Sequence, residues 1–201
     1  MRIIGVTGGV GAGKSAILNY IKEHYKCRIN LADEVANELK RPGTDCYRKL
    51  VDILGKDVLN SDGTIDKKRM SGKIFNDGVL LSEVNSIIHP AVREYLLNAM
   101  EEARKDPDTE LFFVEAALLI ECGYKALVDE MWYIYADQDT RRRRLKENRQ
   151  YSDDRIDGII ASQLSEDDFR KNCDFVIDNS GTLQKSFAQI DKKLEAFTWQ
   201  E

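Results

Sequence analysis

The stretch Gly8-Gly9-Val10-Gly11-Ala12-Gly13-Lys14-Ser15 fits the pattern G-x-x-x-x-G-K-[ST] and directly follows the apolar run Ile3-Ile4-Gly5-Val6. A strand, a glycine-rich turn and a helix in that order fold the backbone so that several N–H groups converge beside the positive end of a helix dipole. That is a phosphate-binding loop. The candidate cradle is Gly8, Gly9, Gly11, Ala12, Gly13, Lys14, Ser15 and Ala16, with Lys14 reaching the β- and γ-phosphates and the Ser15 hydroxyl on Mg²⁺. Ile17, Leu18, Tyr20 and Ile21 then recur as a helix packed on a sheet would require.

A chain of 201 residues allows one sizeable core with room for an inserted subdomain. Its net charge of −5 argues against a non-specific nucleic-acid binder, which needs a basic surface. Cys27, Cys46, Cys122 and Cys173 form no C-x-x-C pair, so they read as free thiols of a reduced compartment. The first strand begins by Ile3 and no apolar run reaches bilayer length, so the expectation is a cytoplasmic protein without a leader or membrane span.

Further strands are expected at Cys27 to Leu31, Leu111 to Val114, Met131 to Tyr135 and Phe175 to Ile177, each separated from the next by helical pattern. The fold class is therefore α/β, a five-stranded parallel sheet flanked by helices. Between Leu31 and Leu111 the pattern is helical throughout: Asp45 to Leu54, Lys67 to Phe75, Val79 to Ile88 stopped by Pro90, and a further amphipathic helix carrying Val92, Tyr95, Leu96, Ala99 and Met100. A parallel crossover needs only about a dozen residues, so residues 42–105 read as a helical, substrate-side insertion in a single domain with core 1–41 and 106–201. The last helix spaces Leu183, Phe187, Ile190, Leu194 and Phe197 as one core-facing stripe.

Acidic residues fall where strands end, which in an open parallel sheet is the ligand edge. Asp33 follows the second strand and either serves the site or caps the helix Glu34 to Lys40; Glu115 follows the third and either holds Mg²⁺ or is solvated. Asp137 to Asn148 reads as a helix loaded with Arg141, Arg142, Arg143, Arg144 and Lys146 and followed by Arg149, forming either a solvated face or a positive lid over a triphosphate. By helical spacing Arg141 and Arg144 share one face, Arg142, Lys146 and Arg149 another, and Leu145 points to the core. The lid spans about 141–165.

A phosphate loop alone leaves a switch GTPase, a motor and a small-molecule kinase open. The N-K-x-D guanine signature is absent, the chain is short for most motors, and the acids and arginines supply what a kinase needs. A different metabolite kinase and a nucleotide-gated binding module are the alternatives.

Nearly end to end, the chain resembles the dephospho-CoA kinases. The resemblance is carried by Thr7 to Ser15, Ala32-Asp33, Arg69, Ile74-Phe75, Ile88-His89-Pro90, Ala117 to Glu121, Arg144 to Ser152, Gln163 and Cys173 to Asn179. Ala117 stands where the family has proline, Ile159 replaces an arginine, and the lid is one residue longer. The resemblance implies a P-loop kinase fold and transfer of the ATP γ-phosphoryl group to the ribose 3′-hydroxyl of dephospho-CoA, with Mg²⁺. It also implies Lys14, Asp33 and Arg144 as catalytic residues, and Arg141, Arg149 and Asn179 on ATP, Asn179 near the adenine. Asp33, His89, Leu118 and Leu119 would serve the acceptor, and Ser15 with Glu115 the metal. For His89 a local role at the bend before Pro90 stands as the alternative. The implied partners are small molecules, without nucleic acid or membrane, on a monomer or weak homo-oligomer.

Overall fold

The structure is a computed structural model that describes residues 1–75 and 77–198. In chain order the elements are β1 (Arg2–Thr7), α1 (Lys14–His24), β2 (Cys27–Leu31), α2 (Ala32–Leu39), α3 (Asp45–Leu54), α4 (Lys67–Phe75), α5 (Gly78–Arg104), β3 (Leu111–Glu115) and β4 (Glu130–Tyr135). They continue with α6 (Gln138–Arg149), α7 (Asp153–Ala161), α8 (Glu166–Asn172), β5 (Phe175–Asp178) and α9 (Leu183–Thr198). Two compact units result, one formed by Met1–Ile29 with the chain from Asp106 onward, the other by Asn30–Lys105. The helical unit thus takes in α2 as well as the stretch 42–105, because α2 packs on α3 and α5.

In the first unit the sheet is parallel with strand order β2-β3-β1-β4-β5. The central strands are buried on both faces, which is why Ile3-Ile4, Leu111 to Val114 and Met131 to Ile134 read as continuous apolar runs instead of alternating ones. Trp132 wedges between Phe113 and Phe175, with ring centroids 5.7 and 5.3 Å away. Ile17, Leu18 and Ile21 of α1 and Ile190 and Leu194 of α9 are also buried. Of the expected α9 stripe, Leu183 is exposed, while Phe187 stacks on Tyr20 at 3.9 Å and Phe197 lies under the Arg2 guanidinium at 4.2 Å. The register sets Val6 opposite Glu115 and Thr7 opposite Tyr133, so the segments leaving β1, β3 and β4 emerge together at the carboxyl edge.

The second unit closes on its own core of Cys46, Leu50, Leu54, Val58, Met70 and Val84. Thr44 caps α3 by accepting the Tyr47 N–H at 3.0 Å, and Gly55, at φ 80°, ends it. Arg69 works locally here: its guanidinium donates to the Leu59 carbonyl at 2.6 Å and to that of Asp57 at 3.4 Å.

Pro90 does not stop a helix. Where the sequence suggested one helix ending at Ile88 and another beyond, α5 runs unbroken from Gly78 to Arg104. Its buried residues Val84, Val92, Leu96, Met100 and Ala103 stay in phase across the proline, so packing on one face outweighs a local cost of about 3 kcal/mol. Ser86 and Pro90 both lie on the exposed side, where water can satisfy the Ser86 carbonyl that Pro90 cannot serve. Pro90→Ala should therefore stabilise the protein by on the order of 1–2 kcal/mol, the restored hydrogen bond being partly offset by a freer unfolded chain. Urea unfolding reads this directly, and an unchanged or lower midpoint would mean that Pro90 has another role in the helix.

Candidate nucleotide and phosphoryl-transfer site

The loop after β1 is held close to its neighbours. Gly8, at φ 152°, comes so near β4 that a Cβ there would lie 2.4 Å from the Ile134 carbonyl oxygen. Gly13, at φ 90°, is equally closed to a side chain, which would meet the Asn179 amide at 2.4 Å. Gly13 is also the N-cap of α1 and supplies no side-chain cap, so the first turn meets an incoming ligand with backbone donors and the positive dipole end. Within that turn the Ala16 N–H is already given to the Gly13 carbonyl at 3.1 Å.

Lys14 turns back over the loop: its Nζ donates to the Gly8 carbonyl at 2.7 Å and stands 3.5 Å from the Glu115 carboxylate. Both side chains are well covered, at 15% and 13% exposure, so this charge pair is partly desolvated. Ser15 is exposed at the start of α1. Among the described residues no group of three or more His, Cys, Asp or Glu could hold a metal alone. A hydroxyl and a carboxylate beside a phosphate cradle nevertheless suit Mg²⁺, which takes hard oxygens, few of them from protein and the rest from phosphates and water.

α6 brings its arginines to this loop by face. Asp137 caps the helix through the Thr140 N–H at 2.7 Å, and Leu145 is buried, which fixes the rotation. Arg141 Nε then donates to the Val10 carbonyl at 2.9 Å, and Arg144 donates to the carbonyls of Ala12 at 3.2 Å and Asn179 at 2.8 Å. On the other face Arg142 pairs with Asp153 and Asp157, and Lys146 with Asp153, joining α6 to α7. Arg143 is exposed. Arg149, the last residue of α6, is exposed at the helix end, 6.0 Å from the Tyr151 ring, and makes no hydrogen bond to the loop among the described residues. Burial pushes the guanidinium pKa down at both Arg141 and Arg144, the second being also lowered by Arg143. Neither has an ion-pair partner among the described residues; their acceptors are neutral. Two partly desolvated, uncompensated cations beside a phosphate loop make an anion site.

Asn179 is 1% exposed, its side chain donating to the Ala12 carbonyl at 2.8 Å and accepting from Ser186 Oγ at 2.9 Å, so its amide is committed to the loop. No motif marks Ser186, which supports this amide from inside α9; only its buried position in the fold reveals it. Leu119 is buried: it is 0% exposed and packs where a Cβ on Gly5 would touch it. Leu118 is 53% exposed and, with Val10, Ala117, Ile159 and Phe169, lines a pocket of about 280 Å³.

In the helical unit, Asp33 is the second residue of α2, whose N-cap is Leu31 without a side-chain bond. The helix begins two residues before the expected Glu34, so Asp33 lies in its first turn and does not cap it. Its carboxylate is exposed and has no hydrogen bond or ion pair among the described residues. His89 is exposed within α5, likewise without a hydrogen-bond partner among the described residues, so it secures no bend.

The family profile described as dephospho-CoA kinase matches residues 2–185. A dephospho-CoA kinase of Geobacillus kaustophilus is 34% identical over 187 residues, covering 93% of this chain and 92% of its own. Another, of Carboxydothermus hydrogenoformans, is 31% identical over 199 residues, covering 99% and 96%. A Thermus thermophilus protein of known structure shares the fold at a TM-score of 0.83 and 23% identity, over 97% of this chain and 96% of that one. With a match over nearly its whole length, the chain belongs to the dephospho-CoA kinase family.

Proposed function

We propose that this kinase moves the γ-phosphoryl group of ATP to the ribose 3′-hydroxyl of dephospho-CoA, the closing step of coenzyme A synthesis. The observation that carries the reading is the convergence of Lys14, Arg141 and Arg144 on one glycine loop, with the two guanidinia lacking any carboxylate partner among the described residues. The acceptor oxygen attacks the γ-phosphorus, the bond to the β,γ-bridging oxygen breaks, and ADP leaves with the electron pair. Charge then spreads over the equatorial and bridging oxygens, where preplaced cations act most strongly. Lys14 serves the β- and γ-phosphates, and Arg144 and Arg141 the outer face of the triphosphate.

Asp33 receives the acceptor proton. Its exposed, unpaired carboxylate on the first turn of α2 is the chemistry a general base requires. Asp33, His89 and Leu118 are the residues proposed for the acceptor. Ser15 and Glu115 would hold Mg²⁺, which when bound neutralises phosphate charge. No helix among the described residues is long and apolar enough to cross a membrane. The proposed enzyme is cytoplasmic and acts on these two small molecules.

Lys14→Ala should lower kcat by on the order of 10²-fold or more while circular dichroism and melting stay near the parent. Parental turnover by the folded variant would remove the phosphate-loop reading. Asp33→Asn should cut kcat by roughly 10²- to 10⁴-fold with little change in ATP affinity; a near-parental kcat would show that another group takes the proton. The substrate assignment is tested with a truncated acceptor. Adenosine should lose kcat as well as affinity relative to dephospho-CoA, since binding energy from the rest of the molecule positions the hydroxyl, and an equal kcat for both would sink the assignment.

A further inference from the structure

The side-chain oxygen of Gln163, between α7 and α8, receives two donors from the nucleotide site. It accepts the Val10 N–H at 3.3 Å and a hydrogen bond from Arg141 Nη2. Arg141 in turn donates through Nε to the Val10 carbonyl at 2.9 Å, so one guanidinium, the backbone N–H and C=O of one residue, and one amide form a closed circuit. The guanidinium is pressed flat on the loop: a Cβ on Gly9 would come within 2.5 Å of it. Two N–H donors converging on one point require the amide oxygen there, which fixes the orientation of Gln163.

We propose that Gln163 is a positioning residue for the phosphoryl donor, acting through Arg141. An arginine side chain on a helix face has many rotamers, and ordering one on binding costs affinity. Gln163 holds this one against the loop before the nucleotide arrives. Its neutrality matters as much as its reach: a glutamate would bind the guanidinium more tightly but would cancel the charge meant for phosphate and place a like charge beside it. The circuit also takes the Val10 N–H out of the cradle. The inference rests on the kinase reading for its ligand and deepens it by naming which residue orients the cation.

The test is the dissociation constant for ATP, measured by calorimetry without acceptor, for Gln163→Met, Gln163→Glu, Arg141→Ala and the double variant Gln163→Met with Arg141→Ala. Gln163→Met keeps the length and removes the acceptor, and should weaken ATP by roughly tenfold, a typical loss for a charge-assisted contact. In the Arg141→Ala background the same change should weaken it less than about twofold, because residues acting through one group are not additive. Gln163→Glu, nearly isosteric and so a safeguard if the methionine variant folds poorly, should weaken ATP more than Gln163→Met does. A purely structural role would lower melting and leave the ATP constant alone. That result, an equal loss in both backgrounds, or an ATP affinity preserved in Gln163→Glu overturns the proposal. If the parent binds ATP but never phosphorylates dephospho-CoA, the kinase reading falls, and the ATP constants still decide the role of Gln163.

Discussion

The carbonyl of Ala12 accepts two hydrogen bonds, from the Asn179 amide at 2.8 Å and the Arg144 guanidinium at 3.2 Å, and the nucleotide site depends on that junction. The residue is almost wholly buried, so its carbonyl must be satisfied within the protein. The two donors come from β5's carboxyl end and from α6, while the loop itself belongs to β1 and α1. One peptide oxygen therefore gathers the sheet edge, the arginine helix and the phosphate cradle into a fixed relation. Gly13 is needed because the Asn179 amide lies where a side chain would start.

The electrostatics follow from what these partners lack. Arg142 and Lys146 find carboxylates on α7 and become joints between helices. Arg141 and Arg144 find peptide and amide oxygens, which orient a guanidinium without cancelling its charge. Lys14 differs again, standing near Glu115 and bound to the Gly8 carbonyl, so its charge is shared with an acid that is itself a candidate for Mg²⁺. Of the three cations at the loop, Lys14 is thus partnered differently from Arg141 and Arg144, so they can play distinct parts in handling one polyphosphate.

Much of this was legible from spacing alone. The glycine pattern located the loop, the buried apolar runs located the central strands, and residues three apart placed Arg141 and Arg144 on one face with Leu145 inward. The sequence reading went astray where a tertiary contact outweighs a local preference. Pro90 looked like a helix end, yet the apolar stripe of α5 continues through it. Leu118 and Leu119 look alike in sequence, but the space beside Gly5 admits only the second. Asn179 lies at a strand end where ligands gather, and only the burial of its amide against Ala12 and Ser186 shows that it builds the loop from behind. Arg149 shares a charge run with Arg144, but its exposed place at the end of α6 beside Tyr151 is not visible in that run. The backbone partners of Gln163 have no sequence signature at all, since a peptide group looks the same at every position.

The central claim is phosphoryl transfer to the 3′-hydroxyl, and mass spectrometry of dephospho-CoA incubated with the protein and MgATP tests it most directly. The account predicts that the acceptor gains one phosphoryl group, that fragmentation places it on the ribose, and that ADP appears in equal amount. ATP hydrolysed or left intact while the mass of dephospho-CoA stays unchanged would contradict it.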